Sequence, residues 1–174
     1  MDIQKAKQFI ISSARPLELA WYRAVFEGGP KQAVIEELKK FQNPDGGFGN
    51  ALEPDNWNPN STPITTNAAL ICLCETGALK EAADVTAGIA RWLKSGDGFI
   101  PEKGRWAGSV PSNLEHPHAI WWEPGDNEGE GFNPTVSLAA FLCCVDGGER
   151  WRGLAREAFR WLETVEEADS HEVQ

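Results

Sequence analysis

Apolar and polar positions along this chain follow a helical period over most of its length, and no stretch shows the strict alternation of a strand. Two kinds of segment recur. One kind is apolar nearly all round, opens with proline and is followed directly by glycine. The other kind carries its apolar residues on one stripe. The pattern predicts inner helices over residues 16–27, 63–76 and 134–146, and outer helices over residues 30–42, 80–95 and 149–168.

The two kinds of segment alternate as a repeated hairpin. The second and third apolar segments match in one register, from Pro63 and Pro134 near their starts to Gly77 and Gly148 after their ends. A helix that is apolar all round must be covered on every side, whereas an amphipathic helix needs cover on one side. The sequence therefore predicts a single all-α domain over residues 1–174, in which about three helical hairpins form an α/α toroid or an incomplete ring of that kind.

A glycine-rich turn, KKFQNPDGGFGN at residues 39–50, precedes the second apolar segment. It resembles the turn in the repeat of protein prenyltransferases, squalene and other terpene cyclases and related bacterial proteins, at Gln42, Asp45, Gly46, Gly47 and Phe48. The longer string GGFGNALEPD, with HPHAIWW and NPT downstream, is similar to a group of uncharacterised bacterial toroid proteins over most of residues 1–165. The resemblance implies the fold but no particular reaction, because the same toroid serves enzymes and non-enzymes.

The known reactions of those enzymes each need a motif that this sequence lacks. Where a class II cyclase carries an aspartate-rich string, this chain has ITTN at residues 64–67. The DDxxD string of class I synthases is absent, and no Asp, Cys and His residues have the spacing of the transferases' zinc ligands. We therefore predict no metal site, identify no cofactor, and leave open whether the chain is an enzyme.

Acidic residues stand just before two of the apolar segments, in the related strings EPD and EPGD. Carboxylates at such positions often only cap helix N-termini and fix loops. On neighbouring hairpins they can instead meet at one mouth of a cavity and do acid–base work. We take Glu53 and Asp55 as catalytic candidates, and Glu123 and Asp126 as substrate-binding candidates.

The string NLEHPHAIWWEPGD, residues 113–126, supplies further candidates. Pro117 holds its two histidines in an extended segment, where their side chains point to opposite sides and do not readily bind one metal. One of them can still act as an acid or base near neutral pH, although an ordinary loop histidine is the alternative for each. We take His118 as a catalytic candidate and His116 as a substrate-binding candidate.

Tryptophans accompany both acidic strings, and we expect them to line the same mouth: Trp57, Trp121 and Trp122. Aromatic faces suit a sugar ring, a polyprene or a cation equally. The sequence thus predicts a toroid protein that binds a small apolar or sugar-like ligand in a carboxylate- and Trp-rimmed central cavity, as an enzyme or, alternatively, as a non-catalytic binding or scaffold module. A perturbed carboxylate in a closed pocket would favour the enzyme.

Charge and cysteine content narrow the class of partner. The formal net charge of -10 disfavours nucleic acid and anionic membranes. No apolar run is long enough to span a bilayer, and the N-terminal residues lack the pattern of a signal peptide. The four cysteines lie in apolar segments, which predicts buried, reduced thiols in a cytoplasmic protein. In particular, we predict that Cys72 and Cys143 are buried free thiols.

Three hairpins would leave an apolar helix uncovered at each end of the arc. We expect two exposed apolar flanks, formed by Leu17, Leu19 and Trp21 and by Leu138, Phe141 and Leu142. Apolar surface of that size rarely stays uncovered. The sequence therefore predicts either a homodimer or a longer chain whose further repeats close the ring.

Overall fold

Helices dominate the computed structural model, which describes residues 2–125 and 131–164. The described residues form seven α-helices: α1 Ile3–Ser13, α2 Pro16–Phe26, α3 Lys31–Leu38, α4 Pro63–Glu75, α5 Ala83–Ser95, α6 Thr135–Asp146 and α7 Glu149–Leu162. Their only named strands are β1 Phe99–Ile100 and β2 Arg105–Trp106, which pair antiparallel. The predicted all-α class is confirmed, and the short β1–β2 pair is an addition that no sequence pattern indicated.

All six predicted helices are present, mostly with shorter ends than predicted. The helix predicted over 30–42 is α-helical only to Leu38 and continues as the 3₁₀ turn Lys39–Phe41. The helix predicted over 80–95 begins at Ala83, and the end of the one predicted over 149–168 lies outside the described residues. The sequence did not predict α1. That helix buries none of its residues, so no core-facing stripe marks it, and Asp2 caps it by accepting the Gln4 and Lys5 backbone N–H groups.

The core forms where α4 and α5 meet α2, α3, α6 and α7 and two aromatic residues outside the helices, Phe48 and Trp106. α2 packs against α3, and α6 packs against α7. This packing buries Leu17, Leu138 and Leu142 almost completely, so the prediction that they are exposed at the ends of an arc is wrong. The helices and loops of the same chain already cover them, and the predicted homodimer therefore loses that support and stays a prediction.

Other members of the two predicted flanks are half-buried: Leu19, Trp21 and Phe141. Large apolar side chains that do face solvent include Ile3 and Phe9 on α1 and Phe26 at the end of α2. No helix within the described ranges is both long and apolar enough to cross a bilayer.

The four cysteines are free thiols, as predicted, but their burial differs from the prediction. Cys72 is buried, whereas Cys143 is half-exposed and Cys74 and Cys144 are exposed. The expectation of four buried thiols is wrong because α4 and α6 are covered on fewer sides than their apolar composition implied. Burial raises the pKa of the Cys72 thiol to about 12, with smaller contributions from the charges of Glu75 and Glu18, so this thiol stays protonated at neutral pH.

The glycine-rich turn fits against α5 and the start of α4. Gly46 has a positive φ of 106°, and a side chain there would collide with the backbone of Gly88 on α5. Two residues after Gly46, Phe48 is fully buried, and its backbone N–H donates to the Thr66 hydroxyl of α4 over 3.0 Å. The turn therefore fixes where the following residues, 49–62, leave the helical core.

Candidate functional site

Two long loops meet above the start of α4 and bring the two candidate strings together. Residues 55–57 run antiparallel to residues 117–119. The Trp57 N–H donates to the Pro117 carbonyl over 2.9 Å, and the Ala119 N–H donates to the Asp55 carbonyl over 2.9 Å. This pairing sets the EPD string beside the HPHAIWW string, although about sixty residues separate them along the chain.

A cluster of buried asparagines ties the two loops together. The Asn113 side-chain oxygen accepts from the amide of Asn58 over 2.8 Å and from that of Asn56 over 3.3 Å. The Asn113 amide donates in turn to the Trp122 carbonyl over 2.8 Å. Asn113 is completely buried, so these bonds are shielded from water and their loss would leave polar groups unpaired.

Arg15, at the start of α2, holds the first loop from the other side. Its guanidinium donates to the carbonyl of Ala51 over 2.6 Å and to that of Leu52 over 2.9 Å, and it pairs with Glu18. Asn50 and Ala51 both have a left-handed backbone, with φ of 55° and 60°. That conformation costs energy for an alanine and occurs mainly where the surroundings impose it, often beside functional sites.

A cavity of about 650 Å³ opens between α4 and these loops. The α4 wall is mostly apolar and contains Ile64, Asn67, Ala68 and Ile71. The opposite wall comes from the loops and is mixed: Glu53, Asp55, Gly108, Ser109, Trp121, Trp122 and Asn133. Four of the predicted site residues thus line one cavity, namely Glu53, Asp55, Trp121 and Trp122.

Asp55 joins the two tryptophans through its carboxylate. One oxygen accepts from the Trp122 indole N–H over 2.8 Å, and the other accepts from the Trp121 indole N–H over 3.1 Å. The side chain of Trp121 is largely exposed, yet its orientation is fixed by this bond. Trp57 is similarly exposed and fixed, because its indole N–H donates to the Pro54 carbonyl over 2.9 Å.

Glu53 is the carboxylate left available in the cavity. No hydrogen bond or ion pair to its side chain is found within residues 2–125 and 131–164. Burial raises the pKa of the Glu53 carboxyl, the charge of Asp55 raises it further, and the charge of Arg15 opposes both. Two acids two residues apart therefore differ, since the Asp55 carboxylate accepts two indole N–H bonds, whereas Glu53 has no partner among the described residues and its pKa is raised.

Asn67 adds a polar group to the apolar wall. Its residue is only 5% exposed, and its side-chain oxygen accepts from the Ser137 hydroxyl of α6. No partner for its amide nitrogen is found among the described residues. This amide nitrogen is on a cavity wall and can donate to a ligand or a water molecule.

The remaining predicted residues do not line this cavity. Trp57 lies on the paired loop segment beside it, and His116 lies in the second loop with its carbonyl 2.6 Å from the His118 Nδ1. The His118 Nε2 lies 3.9 Å from an oxygen of Glu123, whose side chain is 56% exposed. Asp126 is outside the described residues.

Sequence reasoning missed the residues that position the site. Asn67 lies in α4 and Arg15 directly precedes α2, and the apolar pattern of these helices drew attention away from single polar residues. Two of the buried amides did leave a signal, because Asn56 and Asn58 are two residues apart, and this spacing in an extended segment places side chains on one face.

Metal-ligating side chains do not cluster in the described residues, where no group of three or more His, Cys, Asp or Glu is arranged to hold an ion. Comparisons with known protein families, with curated proteins and with solved structures find no match to this chain. The geometry of the cavity is therefore the basis for a functional proposal.

Proposed function

We propose that the cavity binds a sugar-like ligand and that Glu53 acts on it as a general acid, so that the protein is an enzyme that cleaves a glycoside-type C–O bond. The observation that carries this proposal is the contrast between the two acids. Glu53 is unpaired and has a raised pKa in the cavity, whereas Asp55 is fixed by two indole N–H groups. Carboxyls set apart in this way serve as acid and as charge stabiliser in glycoside hydrolysis.

The cavity wall favours a sugar over a polyprene. Its aliphatic side chains all lie on α4, which also contributes the amide of Asn67. The loop wall contributes two carboxyl groups and the indoles of Trp121 and Trp122. A sugar ring presents apolar C–H faces and polar hydroxyl edges, and both kinds of surface find a counterpart here. A polyprene would leave the Glu53 carboxyl and the amide of Asn67 without partners.

Rigid tryptophans support ligand binding independently of catalysis. The indole N–H groups of Trp121 and Trp122, which line the cavity, are both bonded to Asp55, so the orientation of their rings is already set. Preorganised aromatic faces bind with less loss of side-chain freedom. The same observation favours the second candidate function, a non-catalytic module that binds a sugar-like ligand.

The reaction needs only the described acids and water. The Glu53 proton moves to the glycosidic oxygen, and the C–O bond breaks with its electron pair going to that oxygen. The negative charge of Asp55 stabilises the positive charge that develops on the ring. Water then adds to the ring carbon, and the proton it loses returns to Glu53.

The test compares two glutamates that head related strings. Glu53→Gln removes the proton donor while keeping the shape of the side chain, and we expect it to lower the turnover of oligosaccharides and methyl glycosides by about 100-fold or more while leaving binding intact. Glu123→Gln is the matched control and should leave turnover unchanged. Binding by the wild-type protein without turnover would establish the non-catalytic module, and the absence of binding to any glycoside would reject both.

The fold belongs to the same proposal. We propose that α2–α3, α4–α5 and α6–α7 are units of the α/α-toroid repeat that the glycine-rich turn resembles. The close fit of that turn against α5 supports this, as does the proline at or just before the start of α2, α4 and α6. A solved structure with inner helices that do not run parallel would reject it.

A further inference from the structure

A second, smaller cavity of about 240 Å³ adjoins the first. It lies between α2, α4 and the first loop, and its own lining residues are Arg15, Leu17, Glu18, Trp21, Leu52 and Pro54. Both cavities are lined by Glu53, Ala68 and Ile71. The two spaces are therefore adjacent along one face of α4, and the free carboxyl of Glu53 stands where they meet.

Apart from Glu53, which both cavities share, the polar groups of the smaller cavity are already bonded within the protein. Arg15 is bonded to Glu18 and to two backbone carbonyls, and these bonds also engage both oxygens of Glu18. The Trp21 indole N–H donates to Glu75 over 3.2 Å. What this cavity offers to a ligand is therefore the apolar surface of Leu17, Leu52 and the Trp21 ring.

The larger cavity differs in this respect, because beyond the shared Glu53 it holds the Asp55 carboxylate and the Asn67 amide nitrogen, which has no partner among the described residues. A hydroxyl-bearing group loses its water without compensation in the smaller cavity and finds partners in the larger one. The volumes agree with this division, since an apolar protein cavity of about 150 Å³ holds a benzene molecule.

We propose that the two cavities are compartments of one site, and that its ligand is a conjugate of a sugar-like ring with a small apolar group such as an aryl ring or a short alkyl chain. The ring occupies the larger compartment, the apolar group occupies the smaller one, and the oxygen that joins them lies beside Glu53. The identity of the ring rests on the proposed function, whereas the apolar half rests on the smaller cavity alone.

The test titrates the full-length chain with matched phenyl and methyl hexopyranosides of several sugars, followed by calorimetry. For a sugar that binds, the phenyl glycoside should bind about 10- to 100-fold more tightly than the methyl glycoside, because the phenyl group leaves water for an apolar wall. A biphenylyl glycoside should bind more weakly than the phenyl one, since its apolar group exceeds the smaller compartment. This ligand series needs no variant to fold.

A variant series locates the effect. Trp21→Ala removes a wall of the smaller compartment and should lower phenyl-glycoside affinity about 10-fold while leaving methyl-glycoside affinity unchanged. Trp161→Ala is the control, because Trp161 is a half-buried tryptophan of α7 that lines neither cavity. It should change neither affinity.

The outcomes separate the two proposals. Equal affinity for phenyl and methyl glycosides would overturn the two-compartment site and leave the proposed function standing. If no glycoside binds but benzyl alcohol does, and Trp21→Ala abolishes that binding, the apolar compartment is supported and the sugar is rejected. The absence of binding to glycosides and benzyl alcohol alike would overturn both.

Discussion

The loop before α4 and the loop before α6 carry related acidic strings, yet their glutamates lie in different surroundings. Glu53 lines a cavity, and burial raises the pKa of its carboxyl. Glu123 is more than half exposed and lies 3.9 Å from His118. The first loop is fixed by Arg15 and by the buried asparagines, whereas Glu123 gains no such cover from the described residues.

The difference shows that a sequence repeat predicts where a residue enters the fold but not how deeply it is buried. The second loop contributes Asn113, Trp121 and Trp122 to hold the first one, so it serves the site as a support. Asn113→Ala and Asp55→Asn test whether the first loop depends on these contacts with the second loop.

Asn113→Ala should have the largest effect on stability. It removes a fully buried side chain that accepts two amide bonds and donates one, leaving the Asn56 amide and the Trp122 carbonyl unpaired. We expect the free energy of unfolding in urea to fall by about 2–3 kcal/mol. Ser112→Ala is the control, because Ser112 is only half-buried and makes one bond to Asn58. A loss of less than about 0.5 kcal/mol for Asn113→Ala would show that the loops hold together by other means.

Asp55→Asn tests the link between the two tryptophans. An asparagine has one acceptor oxygen, and its amide group would face an indole N–H as a second donor. One indole should therefore lose its partner, at a cost of about 1–2 kcal/mol in unfolding free energy. Time-resolved tryptophan anisotropy should show faster indole motion than in Glu123→Gln, the control. Unchanged anisotropy would mean that packing alone orients Trp121 and Trp122.

Glu53 should make stability depend on pH, with a smaller effect because its carboxyl is still partly exposed. Its pKa is raised above the ordinary value of 4.5, so the folded chain holds this proton more tightly than the unfolded chain. The stabilisation is complete below the unfolded pKa and is lost as pH rises through the folded pKa. The stability of the wild type relative to Glu53→Gln should therefore fall as pH rises above about 4.5 and then level off. Urea unfolding from pH 4 to pH 8 measures this, and parallel profiles for the two proteins would contradict it.

Sequence periodicity predicted the helices well because apolar stripes and proline and glycine boundaries are local signals. It missed α1, which buries no residue, and it placed Leu17 and Leu138 on exposed flanks, because cover from the same chain depends on tertiary packing. It located four residues of the cavity from their acidic and aromatic strings. It chose Glu53 as a catalytic and Glu123 as a substrate-binding candidate, but it could not predict how differently they are buried, since that depends on tertiary contacts such as those of Arg15 and Asn113.

Ala51→Gly gives the smallest predicted effect and the opposite sign. Ala51 has a φ of 60°, where an L-residue with a Cβ is strained and glycine is not. Glycine also gains freedom in the unfolded chain, which offsets part of the relief, so we expect stability to rise by about 0.5–1 kcal/mol. Asn50→Gly is the control, because asparagine tolerates this backbone better and its amide bonds Asn43 over 3.0 Å, so that variant should gain nothing. If Ala51→Gly stabilises the fold as expected and also weakens glycoside binding, the strain at Ala51 helps to hold Glu53 at the cavity.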